Sequence, residues 1–80
     1  MQDLNDLIYF AEVVDRGGFA AAGRSLGLPK SKLSRRIADL EARLGVRLLQ
    51  RTTRKLSLTA VGEQLHRHCV ALRENAQAAD

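Results

Sequence analysis

Three groups of side chains in this sequence have the types and spacing to do chemistry. The largest is a basic run. Of the 13 Lys and Arg residues, ten fall between residues 23 and 58: Arg24, Lys30, Lys32, Arg35, Arg36, Arg43, Arg47, Arg51, Arg54 and Lys55. Only Asp39 and Glu41 oppose them in that stretch, so a formal net charge of +4 hides a strongly positive middle between mildly negative ends. Cations gathered this way suit a surface that meets a polyanion, and a solvated face without a partner is the plainer alternative. The second group is Ser31 and Ser34, short hydroxyls interleaved with the cations, able to donate or accept hydrogen bonds. The third is His66, His68 and Cys69, which are metal-ligand types. On a helix His66 and Cys69 share a face and His68 points elsewhere, so two ligands remain, short of a zinc set. No metal or other cofactor is expected. No serine or cysteine has both a base and an orienting acid at a recognisable spacing, and no glycine-rich phosphate loop occurs, so an enzyme is not expected either.

These groups must be positioned by one small domain. The chain has 80 residues, 45% of them hydrophobic and 28% charged. A domain of this size hides only about 60–65% of the surface its unfolded chain would expose. Thirteen leucines can supply its core, and the three aromatics, Tyr9, Phe10 and Phe19, cannot dominate it. No apolar run approaches the roughly 20 residues of a membrane span, and Met1-Gln2-Asp3 lacks the basic start of a signal peptide. A single cysteine excludes an internal disulfide framework and fits a reducing, cytosolic setting.

The order of elements follows from periodicity and punctuation. Asp3 is a good N-cap, with Asp6 at N3, for a first helix carrying Leu4, Leu7, Ile8, Ala11 and Val14 at helical spacing. Phe10 and Val13 widen that stripe, and Gly17-Gly18 end it. A short second helix, residues 19–26, is closed by Gly27. Its small residues admit a close neighbour, and Gly23 costs it up to about 1 kcal/mol relative to Ala. Leu28-Pro29 makes the turn. The third helix, residues 30–44, has the clearest apolar stripe: Leu33, Ile37, Leu40 and Leu44, with Gly45 as the residue that ends it. Residues 48–51 and 55–58 then alternate as two short strands around the polar turn Thr52-Thr53-Arg54. Thr59 caps a fourth helix that runs to the chain end, without a reciprocal capping-box contact from Gly62.

Two helices joined by a tight turn, the second of them basic, form a helix-turn-helix arrangement. At about 100° per residue, the face of the third helix opposite its leucine stripe holds Ser31, Ser34, Arg35 and Ala38. Lys32, Arg36, Asp39 and Arg43 occupy a flank, and Lys30 the N-terminal tip. Duplex DNA requires such a division: short hydroxyls and one guanidinium face base edges, with Arg35 able to bond guanine bidentately. Lys32 and Arg36 point sideways, where phosphates run. Arg51, Thr52, Arg54 and Lys55 at the hairpin read as a wing on a minor groove or the backbone.

These residues are similar to those of one known family. The sequence resembles the N-terminal DNA-binding domain of LysR-type transcriptional regulators. The likeness runs through Gly18-Phe19, Leu33-Ser34-Arg35 with Ile37 and Leu40-Glu41, and Leu44-Gly45. It continues in the wing signature, Leu48-Leu49-Gln50-Arg51-Thr52-Thr53-Arg54, and in Leu58-Thr59-Ala60-Val61-Gly62. The resemblance implies a mainly α, winged helix-turn-helix fold: a three-helix core, a two-stranded β wing and a long C-terminal linker helix. Residues 1–59 would be the DNA-binding domain, with the helix-turn-helix at about 18–38 and the wing at about 46–58. Residues 60–80 would be the linker and dimerisation helix.

The resemblance also implies sequence-specific binding of double-stranded promoter DNA, as a cytoplasmic homodimer on an interrupted inverted repeat. A small-molecule inducer would act only through a C-terminal effector domain, which is absent from these residues. Lys30, Ser31, Ser34 and Arg35 would read bases, and Lys32, Arg36, Arg51, Thr52, Arg54 and Lys55 would meet phosphate or the minor groove. Pro29-Lys30-Ser31-Lys32 stands where the family has a Ser-Gln-Pro-Ala-like run, which bears on the operator and leaves the docking mode intact. Ala20 and Ala21 replace common phosphate-contacting residues, Gly23 an alanine and Leu49 a phenylalanine. In the fourth helix Leu65, Cys69, Leu72 and Ala76 step 4, 3, 4 as a heptad-like seam, expected to be covered by a second copy.

Overall fold

The computed structural model describes the backbone of residues 4–51 and 56–79 and the side chains of residues 4–50 and 56–75. Its elements are α1 (Leu4–Arg16), α2 (Phe19–Leu26), α3 (Lys30–Leu44), β1 (Leu49–Arg51), β2 (Leu56–Leu58) and α4 (Ala60–Ala79). The strands pair antiparallel, with Leu49 opposite Leu58, Gln50 opposite Ser57 and Arg51 opposite Leu56. This is the mainly helical, winged architecture expected from the sequence. Asp3, the expected cap of α1, lies outside the described residues.

The core forms where the apolar stripes of α1 and α3 meet. Phe10, Val13, Leu33, Ile37 and Leu40 are inaccessible to solvent, joined by Ala22 from α2 and by Leu48 and Leu49 at the wing's entry. Leucine and isoleucine carry most of this volume, and Phe10 is the one fully buried aromatic side chain among the described residues. Leu44 is only half-buried at the end of the α3 stripe.

The turn between α2 and α3 depends on two glycines. Gly27 ends α2 in the left-handed region, at φ 70°, where a side chain would be strained. Gly23 is buried, and a Cβ there would lie 2.6 Å from the Leu28 carbonyl oxygen. Its cost to helix propensity is therefore offset by close return of the turn onto α2, where the Leu28 amide donates to the Gly23 carbonyl at 2.9 Å. Pro29 opens α3, and its carbonyl accepts from the amides of Lys32 and Leu33.

The wing is joined to α4 through Leu48. The Thr59 amide donates to the Leu48 carbonyl at 3.1 Å, while the Thr59 hydroxyl accepts from the Gly62 amide at 3.0 Å. That hydroxyl also donates to the Arg47 carbonyl at 2.6 Å, so one side chain caps α4 and fixes the strand entry. Gly62 is buried where a Cβ would overlap the Leu48 carbonyl oxygen, which is backbone and cannot swing aside. Gly62→Ala is expected to cost about 1–3 kcal/mol, as overpacking does. A urea titration should show a lower midpoint, and an unchanged midpoint would contradict the close approach.

Candidate nucleic-acid interface

Burial of Leu33, Ile37 and Leu40 turns the opposite side of α3 to solvent. Lys30, Ser31, Lys32, Arg35 and Ala38 are exposed there, and Ser34 is half-buried. Lys30, Ser31 and Ser34 meet Phe19 and Ala20 of α2 around a shallow depression at the start of the helix. Pro29 provides no side-chain cap at this end, which carries the positive pole of the helix dipole. The surface offers hydroxyl donors and acceptors, an ammonium at the tip and a guanidinium one turn on. That combination can bond both base edges and phosphate oxygens.

Arg36 is differently occupied from the outward phosphate contact expected of it. Its Nη1 donates to Asp6 Oδ1 of α1 at 3.1 Å, and its guanidinium lies 5.6 Å from the centroid of the Tyr9 ring. Arg43, two turns further along the same flank, pairs with Asp6 Oδ2. The reason is electrostatic: Asp6 is only 2% exposed, and a carboxylate so far from water requires charged partners. Sequence analysis placed Asp6 as a helix-start residue and missed this role. A signal was present, because Asp6 lies on the same face of α1 as Phe10 and Val13, where an acid is out of place.

Glu41 is a second residue whose role was not anticipated. Its Oε2 accepts from the amides of Leu48 and Leu49 at 2.7 and 3.1 Å. An acid on α3 thereby sets the direction in which β1 departs. Of the expected wing contacts, Arg51 closes β1 with its backbone, while its side chain and residues Thr52, Arg54 and Lys55 lie outside the described residues.

The α4 seam is divided. Cys69 is buried against α1 of its own chain, its Sγ 3.7 Å from the Leu7 carbonyl oxygen, so no second copy is needed to cover it. Burial pushes the Cys69 thiol up; Arg73 opposes this and Asp15 adds to it. Leu65 is half-buried, Leu72 is 55% exposed, and the Ala76 side chain lies outside the described residues. Leu72 instead lines an apolar groove with Leu4 and Ile8 of α1.

His66 and Arg73 hold the end of α1 against α4. His66 Nε2 lies 2.9 Å from Asp15 Oδ1, and Arg73 Nη1 lies 3.0 Å from Asp15 Oδ2. Partial burial would raise the Asp15 carboxyl, but hydrogen bonds and charge from His66 and Arg73 hold it below the usual carboxylate range. Among the described residues, no three or more His, Cys, Asp and Glu side chains are placed to share a metal ion. None of the described helices is long and apolar enough to cross a membrane.

The family model described as the bacterial regulatory helix-turn-helix protein, lysR family, matches residues 4–63. The chain belongs to the LysR family. An HTH-type transcriptional regulator of Xanthomonas campestris pv. campestris is 49% identical over 78 residues, which is 98% of this chain and 23% of that protein. The regulator DmlR of Escherichia coli is 48% identical over 63 residues, 79% of this chain and 20% of that protein. The chain thus spans about a quarter or less of the length of these LysR-family relatives.

Among solved structures, the BenM DNA-binding domain in complex with catB site 1 DNA is similar at a TM-score of 0.90 and 32% identity. That match covers 98% of this chain and 87% of the BenM domain chain. The full-length virulence activator AphB of Vibrio cholerae is similar at a TM-score of 0.89 and 36% identity, over 98% of this chain and 27% of AphB.

The Asp15 cluster sets a pH expectation. A carboxyl lowered in the folded state stabilises the fold above its ordinary pKa, and the gain is lost as pH falls through the lowered value. Asp15→Asn should therefore cost up to about 1 kcal/mol at neutral pH, as partly exposed pairs do, with the deficit shrinking in acid. Urea midpoints measured for both proteins down the acid range check this; a deficit independent of pH would contradict it.

Proposed function

We propose that this chain binds double-stranded DNA sequence-specifically, as the winged helix-turn-helix portion of a bacterial transcriptional regulator. In this reading α3 enters the major groove. Lys30, Ser31, Ser34 and Arg35 read base edges, while Lys32 contacts phosphate. The wing residues Arg51, Thr52, Arg54 and Lys55 lie on the minor groove or the backbone. The observation that carries the proposal is the two-sided character of α3. Leu33, Ile37 and Leu40 are fully buried, and Lys30, Ser31, Lys32 and Arg35 stand exposed on the other side. Membership of a regulatory helix-turn-helix family and the likeness to a DNA-bound BenM domain support it further.

Binding as a homodimer to an interrupted inverted repeat in a promoter completes the reading. The α4 seam contributes through Leu72 and Ala76, and the exposed Leu4, Ile8 and Leu72 form an apolar surface that a second copy would cover. The protein would act in the cytoplasm without catalysis or cofactor, and an inducer would act through an effector domain outside these residues. Arg36 is left out of the phosphate contacts, because its guanidinium is engaged by Asp6.

Arg35→Ala is the informative variant. Selection from a randomised duplex library gives the operator, and titration then compares it with single-base variants. Arg35→Ala should weaken operator binding by about 1–3 kcal/mol and relax preference at one position, as loss of a bidentate base contact does. Equal weakening on operator and random DNA would make Arg35 a phosphate contact. No preference among duplexes at moderate salt, even for the unmodified chain, would favour an acidic protein partner over DNA.

A further inference from the structure

We infer that Asp6 is a positioning residue that sets the balance between base readout and sequence-independent binding, by withholding Arg36 and Arg43 from phosphates. The inference rests on the DNA-binding reading and adds to it a residue that touches no nucleic acid. Asp6 is buried in α1, and each of its two carboxylate oxygens takes one guanidinium from α3. Arg36 lies one turn beyond Lys32 on the same flank of α3, so its backbone position suits a phosphate contact while its head group is drawn inward. The Tyr9 ring supports Arg36 in that position. The side chains of Arg36 and Arg43 remain 36% and 45% exposed, so neither is locked in the core, and the loss of Asp6 would remove the carboxylate that draws both inward.

Fold stability alone does not account for such a triad. A buried ion pair is often no more stabilising than apolar residues of similar volume, and what it supplies is a defined geometry. Here that geometry governs which cations DNA meets. Each Lys or Arg that neutralises a phosphate adds affinity for every sequence, and steepens the fall of log affinity with log salt by about 0.9. With Arg36 and Arg43 held by Asp6, the charge presented by α3 is concentrated at Lys30, Lys32 and Arg35, next to the hydroxyls that can discriminate bases.

The test is a salt series of DNA titrations, on a random duplex and on a selected operator, with the unmodified chain, Asp6→Asn and Arg36→Gln. Arg36→Gln should leave the salt slope on random DNA unchanged. Asp6→Asn should steepen it by about 0.9 for each guanidinium that reaches a phosphate, and narrow the ratio of operator to random affinity. Adding Arg36→Gln to Asp6→Asn should remove the share due to Arg36. A slope reduced by about 0.9 in Arg36→Gln alone would make Arg36 a phosphate contact and overturn the inference. So would Asp6→Asn that weakens binding with an unchanged slope, as a purely structural residue would. If circular dichroism shows Asp6→Asn unfolded, Arg36→Gln decides alone, since Arg43 still pairs with Asp6 there. An unmodified chain that binds no duplex would overturn the functional reading and this inference with it, an outcome distinct from altered slopes among chains that bind.

Discussion

The orientation of α3 about its own axis is the constraint on which the rest of the molecule depends. Leu33, Ile37 and Leu40 are sealed against α1 and its neighbours, and each such side chain contributes roughly 1.5–3 kcal/mol through burial. Rotating the helix by one residue would expose them and force Ser34 and Arg35 toward the core, where unpaired polar groups are costly. The outward face is therefore fixed by the inward one. A side chain on the exposed face is then free to be chosen for what it bonds outside the molecule, because it contributes little to holding the fold.

Polar ties refine what hydrophobic burial sets coarsely. Asp6 joins α1 to α3 through two guanidiniums, Glu41 fixes the amides at which the chain leaves α3 for the wing, and Thr59 joins the wing's entry to α4. Asp15 then binds the end of α1 to α4 through His66 and Arg73. Each tie holds one element against another, so their removal would alter the angles between elements before it abolished the elements. For a LysR-family chain those angles matter. In the proposed DNA-bound dimer, the spacing between α3 and the wing would decide whether both reach one duplex, and the direction of α4 would decide how two copies face each other.

The elements were legible in the sequence because their signals are local. A stripe spaced 4, 3, 4 in α3, glycines after α2 and α3, alternation around a polar turn and a threonine before α4 each occupy a few neighbouring residues. The first strand begins one residue later than its alternation implied. Leu48 directs its amide to Glu41 instead of entering the ladder, and Lys55 lies outside the described residues. Exposure of Ser31 and Arg35 followed from the same periodicity. What was not legible was the use of long charged side chains. Arg36 occupies the flank that periodicity assigns, yet its guanidinium is engaged by Asp6, thirty residues earlier in the chain. The packing of Cys69 was hidden for the same reason, since a seam read along α4 alone cannot reveal that α1 of its own chain already covers part of it.

The central claim is that the face of α3 bearing Ser31, Ser34 and Arg35 is the surface that meets DNA. Titration of the isotopically labelled chain with duplex DNA, followed amide by amide in NMR spectra, tests it most directly. The largest changes should fall on Lys30 to Arg35 and on the wing, while amides facing the groove between α1 and α4 change little. Perturbations concentrated along α1 and α4, with the first two turns of α3 undisturbed, would contradict it.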